Sequence, residues 1–178
     1  MFELMFDLQS YIDPILGFIK VHQDWAPLIV FALAFGESLA FISLLIPATA
    51  LLLGIGVLIE AGGLNFWPIW IGAAVGATLG DAVSYWVGLY YKEEAKGFWP
   101  LNRHPDMVAR AEQFFSRYGV WSVVIGRFFG PLRAIVPLIA GVLAMRQLPF
   151  QLANVGSAAV WSFAMLGPGI AALKLMGW

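Results

Sequence analysis

Four charged side chains stand in apolar surroundings: Glu37, Asp81, Arg127 and Arg133. The two arginines lie six residues apart in GRFFGPLRAIVP, 126–137, within an apolar stretch from Val120 to Met145. An arginine at bilayer depth costs about 2.5–3.5 kcal/mol even on insertion-derived scales. Two in one hydrophobic segment need anionic partners, water or a ligand. A guanidinium is always charged, and its planar fork fits phosphate or carboxylate. The spacing, interrupted by Gly130-Pro131, lets both forks converge on one anion. Glu37 differs in kind, because an acid in such a place can take up and release a proton. An acid in one half of the chain facing arginines in the other makes anion binding and protonation competitive. Asp81 is the second candidate for proton coupling. It sits in GDAVSYW toward the loop end of its stretch, where it can instead snorkel or pair with a basic loop residue. Two acids balance two bases, so ion pairs that merely hold a bundle together are the plainer alternative. Buried pairs are weak evidence for stability, whereas intramembrane charges mark function by default.

The elements that carry these residues are interrupted. Gly130, Pro131 and Pro137 are helix breakers beside the arginines, and Pro47 cuts an earlier apolar stretch. Prolines free backbone carbonyls that bare lipid does not tolerate. The arginine segment therefore reads as a broken or re-entrant element lining a polar cavity. Five hydrophobic stretches appear in all. Trp25–Gly36 is too short to cross a ~30 Å core and either continues through Glu37 or stops inside the membrane. Ser38–Ile59 is cut by Pro47, Gly54 and Gly56. Leu64–Tyr91 and Gln147–Leu173 are long enough to span, and Val120–Met145 holds the arginines.

With 61% hydrophobic and 12% charged among 178 residues, the chain reads as a polytopic helical membrane protein of one domain. Its 19 glycines and 10 prolines suit membrane helices that pack closely and break on purpose. Net charge is −1 with no basic run, so nucleic-acid binding has no support. The absence of Cys excludes disulfides, thiolate metal sites and Cys nucleophiles. His22 and His104 make no metal motif, and no cofactor is implied. Ser38, Ser43, Ser84 and Ser157 have no nearby His and read as helix-packing hydroxyls. Most tryptophans lie near stretch ends, as in an interfacial belt.

Residues 1–24 carry Glu3, Asp7 and Asp13 where a cleavable signal would be positive, so an interfacial amphipathic segment is expected. The 92–117 loop holds Lys92, Lys96, Arg103, Arg110 and Arg117, against one Lys and no Arg in residues 1–24, and is expected on the cytoplasmic side. Within it, Met107, Val108, Ala111, Phe114, Phe115 and Tyr118 share a helical face, which predicts a short helix on the inner interface. Two triplets recur 85 residues apart without a gap: GVL at 56–58 and 141–143, AAV at 73–75 and 158–160. Each half follows one order: a proline-broken segment, GVL, an aromatic-proline junction and a small-residue-rich span. Half-repeats of about 25–91 and 105–178 follow, within a single domain over 25–178. Paired interrupted segments in matching halves point to a transporter site between them.

Glu37, Gly80-Asp81 and Arg127-Phe128 through Arg133, followed by Pro137 and Ala140-Gly141-Val142, resemble the pattern of the DedA family (the VTT or SNARE-associated Golgi protein domain). The stretch 112–145 is the most specific part, and the resemblance covers roughly 25–175. It implies an all-α membrane fold with two re-entrant helix hairpins in inverted repeat and flanking transmembrane helices. It also implies movement of a polyprenyl-phosphate carrier lipid such as undecaprenyl phosphate, or of phospholipid, across a bacterial inner membrane. One departure is Thr49, which cannot ionise where family members often carry a second acid. Arg127 and Arg133 are then the substrate-binding residues, with Glu37 and Asp81 coupling protons and Pro47, Gly130, Pro131 and Pro137 shaping the broken backbone. The partners are lipid phosphate and membrane lipids, and a homo-oligomer is compatible with this reading. The competing functions are a proton-coupled small-ion antiporter, an energy-independent scramblase, a lipid phosphatase and a non-transporting scaffold. A phosphatase needs a nucleophile with an oriented base or a metal cluster, and the chain has no such set. No enzyme is therefore expected.

Overall fold

The computed structural model describes residues 21, 23–39, 48–97, 101–103, 105–129 and 132–176. All regular structure among them is helical: α1 Ala26–Ser38, α2 Ala48–Gly62, α3 Phe66–Tyr91, α4 Pro105–Tyr118, α5 Trp121–Gly126, α6 Leu132–Val142 and α7 Gln147–Met176. Two of them are long and apolar enough to cross a membrane, over Phe66–Tyr91 and Gln147–Ala172. The expected N-terminal interfacial segment lies outside the described residues, as do Pro47, Gly130 and Pro131.

Both long helices start in a way their sequences dictate. Asn65 caps α3, its Oδ1 accepting from the Trp67 N–H at 3.2 Å. Each helix also carries a proline in its first turn, Pro68 or Pro149, where the missing N–H costs nothing. α3 is then held by backbone approach. Gly72, Gly76 and Gly80 recur at every fourth residue and lie on the carbonyls of Pro27, Phe31 and Phe35 of α1. A Cβ at any of the three would overlap that backbone. Where lipid tails are as apolar as the protein, such close packing is what joins helices.

Packing elsewhere is reciprocal. α2 lies along α7, and α6 lies along α3. Gly56 of α2 meets the Leu166 carbonyl of α7, and Gly141 of α6 meets the Tyr85 carbonyl of α3. These are the glycines of the two GVL triplets. Tyr85 also donates to the Met145 carbonyl at 2.5 Å and stacks on Phe150 at 4.2 Å, fastening the exit of α6 to α3 and α7. Gly54 meets nothing within 4 Å. Gly76→Val is therefore expected to lower stability by about 1–3 kcal/mol through overpacking. Gly54→Ala should be neutral or stabilising by up to about 1 kcal/mol. Thermal unfolding in detergent, with both variants side by side, checks this.

Three expectations need correction. Gly54 and Gly56 do not cut the second stretch, because α2 runs through both and Gly56 serves packing. Pro137 does not break the fourth stretch either. It sits inside α6, with the interruption earlier, between Gly126 and Leu132. Its consequence is local, since it offers no N–H to the carbonyl four residues before it, that of Arg133. Finally, α4 does more than rest on an interface. Val108 and Ala111 are buried in a cluster with Ile135, Val136 and Ile139 of α6, so its apolar face is docked on the protein. α1 continues through Glu37 and ends at Ser38, about 20 Å long.

Candidate functional site

The four charges read from the sequence meet in one place. Glu37 and Ser38 are the last residues of α1, and Asp81 lies beyond the middle of α3. Arg127 follows the end of α5, and Arg133 is the second residue of α6. The short helices α5 and α6 are separated by the turn at Arg127–Phe129, where Phe128 and Phe129 donate to the Ile125 and Gly126 carbonyls. That turn ends the helix just where a guanidinium must leave the backbone and point inward.

Each arginine is paired with one acid of the other half. Arg127 Nη2 donates to Asp81 Oδ2. Arg133 Nη1 donates to Glu37 Oε1 at 2.7 Å. Glu37 and Asp81 are each 4% exposed and Arg127 is 3% exposed, so the charges are held away from solvent. Asp81 does not snorkel or reach a cation of the 92–117 loop, because it is buried and paired with Arg127. Ser38 joins the two pairs. Its Oγ accepts from Arg133 Nη2 at 3.3 Å, and its hydroxyl also reaches Asp81. Ser84 Oγ donates to the Ser38 carbonyl at 3.2 Å and ties α3 to the end of α1. Two acids and two bases leave the cluster formally neutral.

Helix α7 adds two residues that the sequence reading passed over. Asn154 is fully buried, and its Oδ1 accepts from Arg127 Nη2 at 2.6 Å. Its Nδ2 donates to the Thr78 carbonyl of α3 at 2.9 Å. Trp161 is buried with its indole face 4.1 Å from the Arg133 guanidinium carbon. Both were discoverable: Asn154 is an amide near the middle of a largely apolar helix, and Trp161 is a tryptophan far from a span end. Of the serines read as packing hydroxyls, Ser157 donates to the carbonyl of Asn154, in its own helix, while Ser38 belongs to the charge cluster.

The guanidinium of Arg127 is only half used. Its Nε and Nη1 are buried and find no acceptor among the described residues. An unmet donor on a buried charge is costly. The arrangement can hold an oxyanion at that edge. Thr49 lies in the first turn of α2.

A VTT domain is matched over residues 46–171. The chain is 32% identical over 155 residues to inner membrane protein YabI of Escherichia coli (strain K12), covering 87% of this chain and 61% of that protein. An uncharacterized membrane protein of Buchnera aphidicola subsp. Acyrthosiphon pisum is 31% identical over 154 residues, 86% of this chain and 60% of that one. One of Synechocystis sp. is 34% identical over 139 residues, 74% and 61% of the two chains. The chain spans about three fifths of the length of these relatives. No solved structure matches it. With a VTT domain over most of its length, one that takes in Asp81, Arg127 and Arg133 and begins after Glu37, the chain belongs to the VTT-domain (DedA) family of membrane proteins.

Proposed function

We propose that the cluster binds the phosphate head of a lipid, a polyprenyl phosphate or a phospholipid, and that the protein moves it across a bacterial inner membrane. No bond is made or broken in this scheme, so the protein is a transporter and not an enzyme. The observation that carries the reading is the buried Arg127, which is paired on one nitrogen and has two further nitrogens without acceptors among the described residues. Phosphate oxygens supply what those nitrogens lack. The apolar residues around the cluster suit a lipid tail. The antiporter reading is weaker, since each acid already neutralises a guanidinium.

The reciprocal packing of α2 on α7 and α6 on α3 supports two half-repeats, about 25–91 and 105–178, related as an inverted pair with the site between them. The acids come from the first half and the arginines from the second. Relative motion of the halves thus separates the ion pairs, and a phosphate takes the place of the carboxylates. The 92–117 loop is on the cytoplasmic side in this scheme.

In this scheme Glu37 competes with phosphate for Arg133. Glu37→Gln keeps the shape and removes the charge, so the purified variant in detergent should retain radiolabelled polyprenyl phosphate more tightly than the native chain. Equal retention by the folded variant contradicts competition at Arg133 and favours an energy-independent scramblase. Failure of the native protein to retain the lipid contradicts the function itself.

A further inference from the structure

We infer that Asn154 and Trp161 of α7 are positioning residues for the two arginines, holding each guanidinium by a neutral contact while its carboxylate is exchanged for phosphate. The inference rests on the reading that the arginines take a lipid phosphate.

Each arginine has two kinds of partner. Arg127 touches Asp81 of α3 and Asn154 of α7, and Arg133 touches Glu37 of α1 and Trp161 of α7. The ionic partner always comes from the first half, and each arginine has a neutral partner in the second, although Ser38 of the first half also accepts from Arg133. Residues 154 and 161 are seven apart, two turns on one helical face, roughly 10 Å along the axis. One face of one long helix therefore backs both guanidinium groups. The elements bearing the arginines cannot do this alone, because α5 has six residues and α6 eleven.

The chemistry of each contact suits the task. Asn154 donates through Nδ2 to the Thr78 carbonyl at 2.9 Å and to Gln151 Oε1 at 3.4 Å. Both its N–H groups are thereby directed away, and Oδ1 must face Arg127. An amide oxygen takes one N–H of the guanidinium and adds no charge. Nε and Nη1, which have no acceptor among the described residues, stay available to an anion. A carboxylate in the same place would compete with phosphate. The Trp161 ring covers the flat face of Arg133 and leaves the N–H edges open, since attraction to the ring acts on the face. Both contacts persist when a phosphate replaces the acid, so the arginines need not find their positions again. An arginine released by its acid and held by nothing else would be an isolated charge in an apolar interior.

Asn154→Asp is the discriminating change, because it keeps the shape and turns the neutral partner into a competitor. The probe is geranyl phosphate, a soluble ten-carbon isoprenyl monophosphate, titrated into the purified chain in detergent, with melting followed in the same samples. We expect affinity for the probe to fall about tenfold or more in Asn154→Asp, as for the loss of one hydrogen bond to a charged group. Melting without the probe should fall, because an aspartate has no N–H for the Thr78 carbonyl, so affinity is compared at a temperature where both proteins are folded. Trp161→Phe keeps an aromatic face and should bind within about threefold of native, while Trp161→Leu should lose about tenfold, in line with a desolvated cation–π contact. The tryptophan pair decides the matter if Asn154→Asp does not fold. Native affinity in folded Asn154→Asp, or equal affinity with Trp, Phe and Leu at 161, overturns the positioning role. If Arg127→Ala and Arg133→Ala also bind the probe as the native chain does, the phosphate reading itself has failed.

Discussion

Asp81→Ala is expected to destabilise the protein by about 3–5 kcal/mol, the cost of leaving one member of a buried ion pair without the other. Arg127 would keep its bond to the Asn154 side chain but lose the only acid paired with it among the described residues. Removing both charges should undo most of the damage. Asp81→Leu combined with Arg127→Met replaces the pair with apolar side chains of similar size, a change that is often neutral or stabilising for buried pairs. Transport should stay lost in the double variant. Thermal unfolding in detergent beside a translocation assay separates the two effects. A double variant that is stable and still transports would reduce this pair to scaffolding. A double variant as unstable as Asp81→Ala would mean that the surrounding hydrogen bonds, and not the charge, hold this part of the fold.

The second large effect concerns the shape of the cations. Arg127→Lys and Arg133→Lys should each cut transport about a hundredfold, nearly as much as alanine. Two hydrogen bonds to a charged group are worth about 1.5 kcal/mol each at the lower end, and together they amount to roughly that factor. Arg127 serves Asp81 and Asn154 from one nitrogen, and two more nitrogens find no acceptor among the described residues. Arg133 meets Glu37 and Ser38 through separate nitrogens while its face lies on Trp161. An ammonium is a point charge and cannot divide itself in this way. Measured transport at equal membrane expression decides the matter. Full activity of both lysine variants would leave the arginines as generic positive charge.

Much of this site was legible in the sequence because charge in an apolar stretch is conspicuous. Glu37, Asp81, Arg127 and Arg133 stood out by residue type alone, and the structure brings all four together. Which acid meets which arginine was not legible, since that depends on how α1 and α3 cross. The breaks were read half correctly. An interruption lies between Gly126 and Leu132, close to the arginines, but Gly54, Gly56 and Pro137 lie within helices. Glycine and proline signal both breaks and close packing in membrane helices, and the sequence does not say which. Gly56 and Gly141 illustrate the point, because each is needed where another helix presents a carbonyl. The faint GVL repeat was the trace of that shared role. Asn154 and Trp161 escaped notice because neither is charged, and an amide or an indole in an apolar helix acquires meaning only once its neighbour is known. The run Gly72, Gly76, Gly80 also escaped, although its four-residue spacing was visible, because composition recorded small residues without their period.

The central claim is that a lipid phosphate passes through the arginine–acid cluster. Translocation of a long-chain polyprenyl phosphate in proteoliposomes, with phospholipid movement followed in parallel, tests it most directly. The account predicts head-group movement in vesicles carrying the native chain and at most about a hundredth of that rate with Arg127→Lys, which retains charge and loses the fork. Equal rates in native, Arg127→Lys and protein-free vesicles would contradict it.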